Sequence, residues 1–350
     1  MEVLAYLREV SQLLGPSGHE LETSAWLAEK FRPLCDEVRV DALHNVIALK
    51  KGVRHRGKPI RVMLSAHQDE IALMVSDILP DGTLRMGSVG GVDPRILPAS
   101  QVIVHGTERL IGVIGAKPPH LMTPAEAEKS YNRDDLFVDV GLPAEQVRER
   151  VRIGDLITLR GETLPLLNDQ AAGKTMDDRA CIGMLLLAAE RLQAVKHEAD
   201  VYFVCSTQEE VGAYGAWVSA FDIDPDLAVA IDVTHAPIPG SRPNTTVPLD
   251  APAITYGPYI QPKLLERLKD TAKRHHISYN LEPANRSTGT DMDEIGVARD
   301  GIPGVLIDLP LRYMHTSVEV IDLNALREGA RLLALFAGEL TEGWDEELWI

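Results

Sequence analysis

The spacing of apolar positions along this chain changes twice, and each change marks a different kind of structure. Residues 1–14 (MEVLAYLREVSQLL) and 19–32 carry apolar side chains at a helical period, with GPSG between them as a turn. EVRVDALHNVIALKKG then predicts a hairpin turning at His44-Asn45. RVMLSAH (61–67) predicts a buried strand that runs into further extended structure. From about 75 to 165 the helical period fades. Short β-like pieces (TLRMGS, QVIVHG, RLIGVIGA, DLFVDVG, DLITLRG) are separated by Gly, Pro and Asp, the texture of a small all-β barrel or sandwich.

After about 167 helices again alternate with buried strands. DDRACIGMLLLAAERLQAV reads as an amphipathic helix, VYFVCST and LAVAID as strands, and PKLLERLKDTAKRH as a helix. GVLIDLP is a further strand, and LNALREGARLLALFAGEL a closing helix. Such alternation implies crossover connections. The expected fold is α/β, a mostly parallel or mixed sheet with helices on both faces. Residues 1–72 and 166–350 are expected to form that unit discontinuously, with 73–165 as a small inserted all-β, barrel-like domain. The acidic tail WDEELWI is expected to be solvated.

Composition narrows the partners. The 350 residues carry a formal net charge of −17, which repels phosphate backbones and argues against nucleic acid. No apolar run approaches the roughly 20 residues of a membrane span, so no membrane partner is expected. Cys35, Cys181 and Cys205 sit in apolar sequence without CxxC spacing, which suggests free thiols in a reducing, cytoplasmic setting.

Candidate chemistry lies just beyond the apolar runs. His67 ends RVMLSAH, Glu209 and Glu210 follow VYFVCSTQ, Asp232 ends LAVAID, and His315 closes GVLIDLPLRYMH. Asp177 instead opens a helix. Open α/β sheets bind ligands outside the carboxyl ends of their strands, so residues far apart in sequence can meet there. Two His, two Asp and a Glu make the donor set of a two-metal hydrolytic site. In Glu209-Glu210, one carboxylate can hold metal while the other faces bound water. Asp177 suits a bridge between two cations through its two oxygens, with Asp178 as the helix cap. His67 and Asp69 share a face of extended chain, so Asp69 can orient the imidazole. Glu70 is read as structural or as supporting these ligands by hydrogen bonds; His120 and His235 receive no role.

The motifs AHQDE (66–70), GGVDPRILP (90–98), GVIGAKPPHLMT (112–123), DLFVDVG (135–141), DDRA (177–180), QEEVG (208–212), AIDVTHA (230–236), STGTD (287–291) and PLRYMHT (310–316) occur in one order over nearly the whole chain. In that order they resemble the glutamyl and deblocking aminopeptidases, the tetrahedral metallo-aminopeptidases. The resemblance implies a di-zinc peptidase fold with an inserted dimerisation domain. It implies two divalent metal ions per subunit, zinc or cobalt and in some members manganese. His67 and Asp232 would hold one, Glu210 and His315 the other, and Asp177 both. Glu209 would be the general base acting on a water bridging the metals, and Asp69 the residue orienting His67. Short peptides would lose their N-terminal residues inside a homo-oligomer of dimers forming a dodecameric tetrahedron. Gln68 and the acidic stretch MDEIGVARDGIP after STGTD depart from the family pattern.

Three other readings compete. A glycosidase needs paired carboxylates, but not two His and a bridging Asp, and sugar platforms are usually richer in aromatics than 5%. A peptide-binding shell would have lost a ligand or the base. A di-metal carboxypeptidase or deacylase differs in the substrate end it recognises.

Overall fold

The computed structural model describes residues 1–350 except 54–58, 243–244, 347 and 349–350. Its main body is a mixed sheet of eleven strands. At the centre Asp200–Ser206, Arg61–His67, Leu227–His235 and Gly304–Arg312 run parallel to one another. Val46–Lys50 and Glu37–Val40 extend one side antiparallel, as the expected hairpin. Glu319–Asp322, Gln170–Gly173 and Leu164–Leu166 extend the other. Ala253–Tyr256 adds antiparallel to Gly304–Arg312 and pairs in turn with Asn280–Pro283.

Burial explains the central strands. Every residue from Val62 to His67 is buried, so both faces of this strand are covered, as a parallel sheet requires. Helices Met176–Leu192 and Leu323–Gly338 pack together against the sheet. Tyr214–Ile223 and Asp291–Ile295 form another packed pair. The helix Met176–Leu192 is not amphipathic as expected. It is buried nearly all round, because the sheet, the closing helix and the N-terminal helix Val3–Val10 all pack on it. Gly183 admits the Tyr6 ring, which would stand 2.9 Å from an added Cβ. The Tyr6 hydroxyl donates to the Arg179 carbonyl at 2.8 Å.

Arg179 is fully buried and joins distant segments. Its Nε donates to the Gln68 carbonyl at 3.0 Å, and Nη1 donates to the carbonyls of Val10 (2.8 Å) and Leu13 (3.0 Å). Nη2 reaches the Gly15 carbonyl, Thr23 and, at 3.3 Å, Glu70. Lys174 completes the ion pairing of Glu70. The departure at Gln68 is structural. Its side-chain amide donates to the carbonyls of His44 and Cys205 and accepts from Ser24.

After Glu70 the chain leaves the sheet and enters a closed six-stranded barrel. Around it the strands run Ala72–Ile78, Leu84–Val89, Leu136–Asp139, Arg109–Ala116, Gln101–His105 and Leu156–Leu159. Leu73, Leu84, Val102, Val104, Ile114 and Val138 fill the interior as a separate core. The fold class read from the sequence is therefore the one observed. The C-terminal tail departs from expectation: Leu348 is buried, its carbonyl accepts from the Gln261 side chain at 2.7 Å, and Trp344 packs on the main core. Glu347, Trp349 and Ile350 lie outside the described residues. No helix among the described residues is long and apolar enough to cross a membrane.

Candidate metal centre and active site

At the carboxyl ends of the central strands lies a cavity of about 400 Å³. His67, Asp177, Glu209, Glu210, Asp232 and His315 all line it. His67 is the last residue of its strand, whereas Asp232 lies within Leu227–His235, three residues before that strand ends, and is paired beside Asp308. Glu209 and Glu210 sit in a 3₁₀ turn after Asp200–Ser206, and His315 follows Gly304–Arg312.

Asp177 occupies the middle. Its Oδ1 stands 3.1 Å from His67 Nε2 and its Oδ2 stands 3.1 Å from His315 Nε2. His315 Nε2 is also 3.1 Å from Glu210 Oε1. Donors each about 2.1 Å from one cation, at a roughly tetrahedral angle, lie about 3.4 Å apart, close to these spacings. Ligand atoms of His67, Asp177 and Glu210 lie within 4.8 Å of one another, as do those of His67, Asp178 and Asp232. The second group brings in Asp178, which does not cap the helix as expected. Asp177 and Asp178 are non-helical and joined by a cis peptide bond; Asp178 Oδ2 accepts the His67 backbone N–H at 3.1 Å.

Asp69 is fully buried behind His67, with Oδ1 3.4 Å from the ring Nδ1. The same carboxylate accepts the N–H groups of Glu209 at 3.0 Å and Glu210 at 3.2 Å, and the Ser17 hydroxyl at 2.6 Å. Burial alone would raise its carboxyl, but the bonds from His67, Ser17 and the Glu209 N–H prevail and hold it below the usual range. Burial likewise opposes ionisation of Asp177, yet His315 and His67 keep that carboxyl well below the ordinary value. Burial pushes Glu209 up to about 8; His67 opposes this, while Asp291, Glu210 and Asp69 reinforce it. Asp232 is raised by burial and by Asp178 beside it. His315 rises to about 11, because its bonds with Asp177 and Glu210 overcome burial.

The donor set fits divalent cations. The buried Asp178 Oδ1 receives no hydrogen bond, and the cavity wall includes no Lys or Arg among the described residues. Crowded carboxylates without counter-charge or donors are unfavourable unless a cation joins them.

Several supporting groups have no role assigned to them from the sequence. His315 Nδ1 donates to the Gly91 carbonyl at 2.9 Å, leaving Nε2 for the cluster. Gly91 must stay small: an added Cβ would meet the His315 ring at 3.1 Å. Gly90 is similarly close to Glu210. Buried Glu319 ties two ligand segments together, accepting from the His315 N–H at 2.8 Å and the Met176 N–H at 2.7 Å. His235, given no role by the sequence, lines the cavity; His120 does not. Thr175, Gln208 and His315, all in or beside the site segments, hold left-handed backbone at φ of about 60°, a strained conformation costing about 1–3 kcal/mol each.

Known proteins share this fold. The family model of M42 glutamyl aminopeptidases matches residues 44–332. A lysyl aminopeptidase of Pyrococcus furiosus is 35% identical over 341 residues, covering 95% of this chain and 96% of that one. The crystal structure of a TET aminopeptidase from a marine sediment archaeon of the Thaumarchaeota superposes with a TM-score of 0.93 at 30% identity, covering 99% of this chain and 98% of that one. The TET1 peptidase of Pyrococcus horikoshii, able to assemble into a tetrahedron or a large octahedral shell, superposes with a TM-score of 0.84 at 27% identity, covering 97% and 100%. A match that spans most of the length, on a sheet and barrel that superpose almost completely, establishes that this chain belongs to the M42 glutamyl aminopeptidase family.

Proposed function

We propose that this protein is a metal-dependent aminopeptidase that removes N-terminal residues from short peptides. The observation that carries the reading is the meeting of His67, Asp177, Glu209, Glu210, Asp232 and His315 around one cavity. In this reading His67 and Asp232 would hold one divalent cation, Glu210 and His315 would hold another, and Asp177 would serve both. Imidazole and carboxylate donors suit zinc, cobalt or manganese. Bound cations supply Lewis acidity and lower the pKa of coordinated water. Glu209, free of ligand duty, takes the proton from the attacking water and returns it to the departing amine. Asp69 orients His67 and anchors the amides of both glutamates.

The names of the relatives point the same way, since one acts as a lysyl aminopeptidase and another forms closed shells. By that likeness the chain assembles as dimers into a dodecameric tetrahedron. Residues 73–165 would form the pairing domain, where Ile111, Val113 and Leu121 expose apolar surface. Three free cysteines support a cytoplasmic setting.

Free dipeptides and anilides should be cleaved by the zinc- or cobalt-loaded protein, and amino-blocked dipeptides should not. Equal cleavage of blocked dipeptides would instead favour a carboxypeptidase or deacylase. Chelation should abolish turnover, and restoring the cation to about a hundred times its Kd should return about 2.7 kcal/mol of stability, read in urea titrations. A protein whose stability ignores added cation would contradict the metal assignment. Gly91→Ala, by displacing His315, should weaken zinc binding about tenfold in calorimetric titration. Wild-type zinc affinity in that variant would remove Gly91 from the account.

A further inference from the structure

The cavity extends beyond the cluster, and its far wall is one face of four paired strands. Register places Asp232 beside Asp308, Asp308 beside Ala253, and Thr255 beside Glu282. Paired residues and alternate residues share a face, so Asp232, Thr234, Asp308, Thr255 and Glu282 point to one side. All five line the cavity. Thr234 donates its hydroxyl to one Glu282 oxygen, and Thr255 donates to one Asp308 oxygen. The other Glu282 oxygen is enclosed and receives no hydrogen bond. Asp308 is only 2% exposed.

Neither carboxylate has an ion-pair partner among the described residues, and His235 is the one basic side chain of the wall outside the metal cluster. Burial raises both carboxyls, and the charge of Glu282 raises Asp308 further. Elsewhere the chain compensates a buried carboxylate, as Lys174 and Arg179 do for Glu70. Two oriented carboxylates facing a cavity without counter-charge therefore call for a cation from outside.

We infer that this wall receives the side chain of the substrate's first residue, and that Glu282 and Asp308 select lysine or arginine there. The inference rests on the aminopeptidase reading and names its substrate class. An ammonium or guanidinium would gain charge-assisted hydrogen bonds, whereas a glutamyl side chain would meet two like charges.

The test uses the full-length, cation-loaded protein and lysyl, arginyl, leucyl and glutamyl anilides. In the wild type, kcat/KM for the two basic substrates should exceed the leucyl value by about tenfold or more. Glu282→Gln and Asp308→Asn should each lower the lysyl-to-leucyl ratio by about tenfold, and Glu282→Lys should move the preference toward glutamyl anilide. A wild-type preference for leucyl or glutamyl anilide overturns this pocket while leaving an aminopeptidase standing. That comparison decides the matter even where a variant fails to fold. A lysyl preference that persists in both neutralised variants also overturns it. Failure of the wild type to cleave any anilide removes the aminopeptidase reading and this inference together.

Discussion

Replacing Glu209 with Gln should lower kcat for aminoacyl anilides about a thousandfold, within the range expected when a positioned base is removed. The exchange keeps the size of the side chain and the backbone N–H that Asp69 accepts. Only the capacity to take a proton is lost. Glu209 Oε2 lies 3.9 Å from His67 Nε2, at the edge of the cluster, whereas Glu210 lies against His315. Cation content and urea midpoint should therefore hold in the Glu209→Gln protein while turnover collapses. Turnover within a few-fold of wild type would remove Glu209 from the chemistry and return the base to another carboxylate of the wall.

Arg179→Met should cost about 3–5 kcal/mol of stability, because one partner is taken from a buried charged network. The guanidinium spans the end of the first helix, the loop at Gly15, the chain after His67, and Glu70. Its loss strands carbonyls of Val10, Leu13 and Gln68 and leaves Lys174 alone against Glu70. Arg179→Lys should recover only part of the loss, since one ammonium cannot match a planar fork that reaches so many acceptors. Urea titration gives the measurement. A midpoint equal to wild type would mean that this network contributes nothing net.

How much of this was legible depended on distance along the chain. Buried runs that end in a titratable residue are local signals, and they led directly to His67 and Asp232. The barrel was legible because its short pieces break at Gly, Pro and Asp. The strands Gln170–Gly173, Ala253–Tyr256 and Asn280–Pro283 were missed, since they are short and exist through pairing with distant neighbours. Asp178 was mistaken for a cap because an Asp at a helix start is usually one; its partner, the His67 amide, lies 111 residues away. Glu319 carried no mark distinguishing it from a solvated acid, although it is buried and binds two ligand segments. The Gly91 carbonyl was invisible for a simpler reason, since every residue has one. Met176–Leu192 reads as amphipathic in the sequence, yet it is buried nearly all round, and even Arg179 is fully enclosed by acceptors.

The Gly91 contact also bears on how far this molecule can be miniaturised. Gly90 and Gly91 leave the end of the barrel strand Leu84–Val89 and press against Glu210 and His315. A trimmed version lacking residues 73–165 would keep every proposed ligand, yet forfeit the acceptor that sets the His315 ring. If His315 is a ligand as proposed, the insertion helps hold the metal site, and grafting a foreign module in its place would have to reproduce two bare backbone positions there.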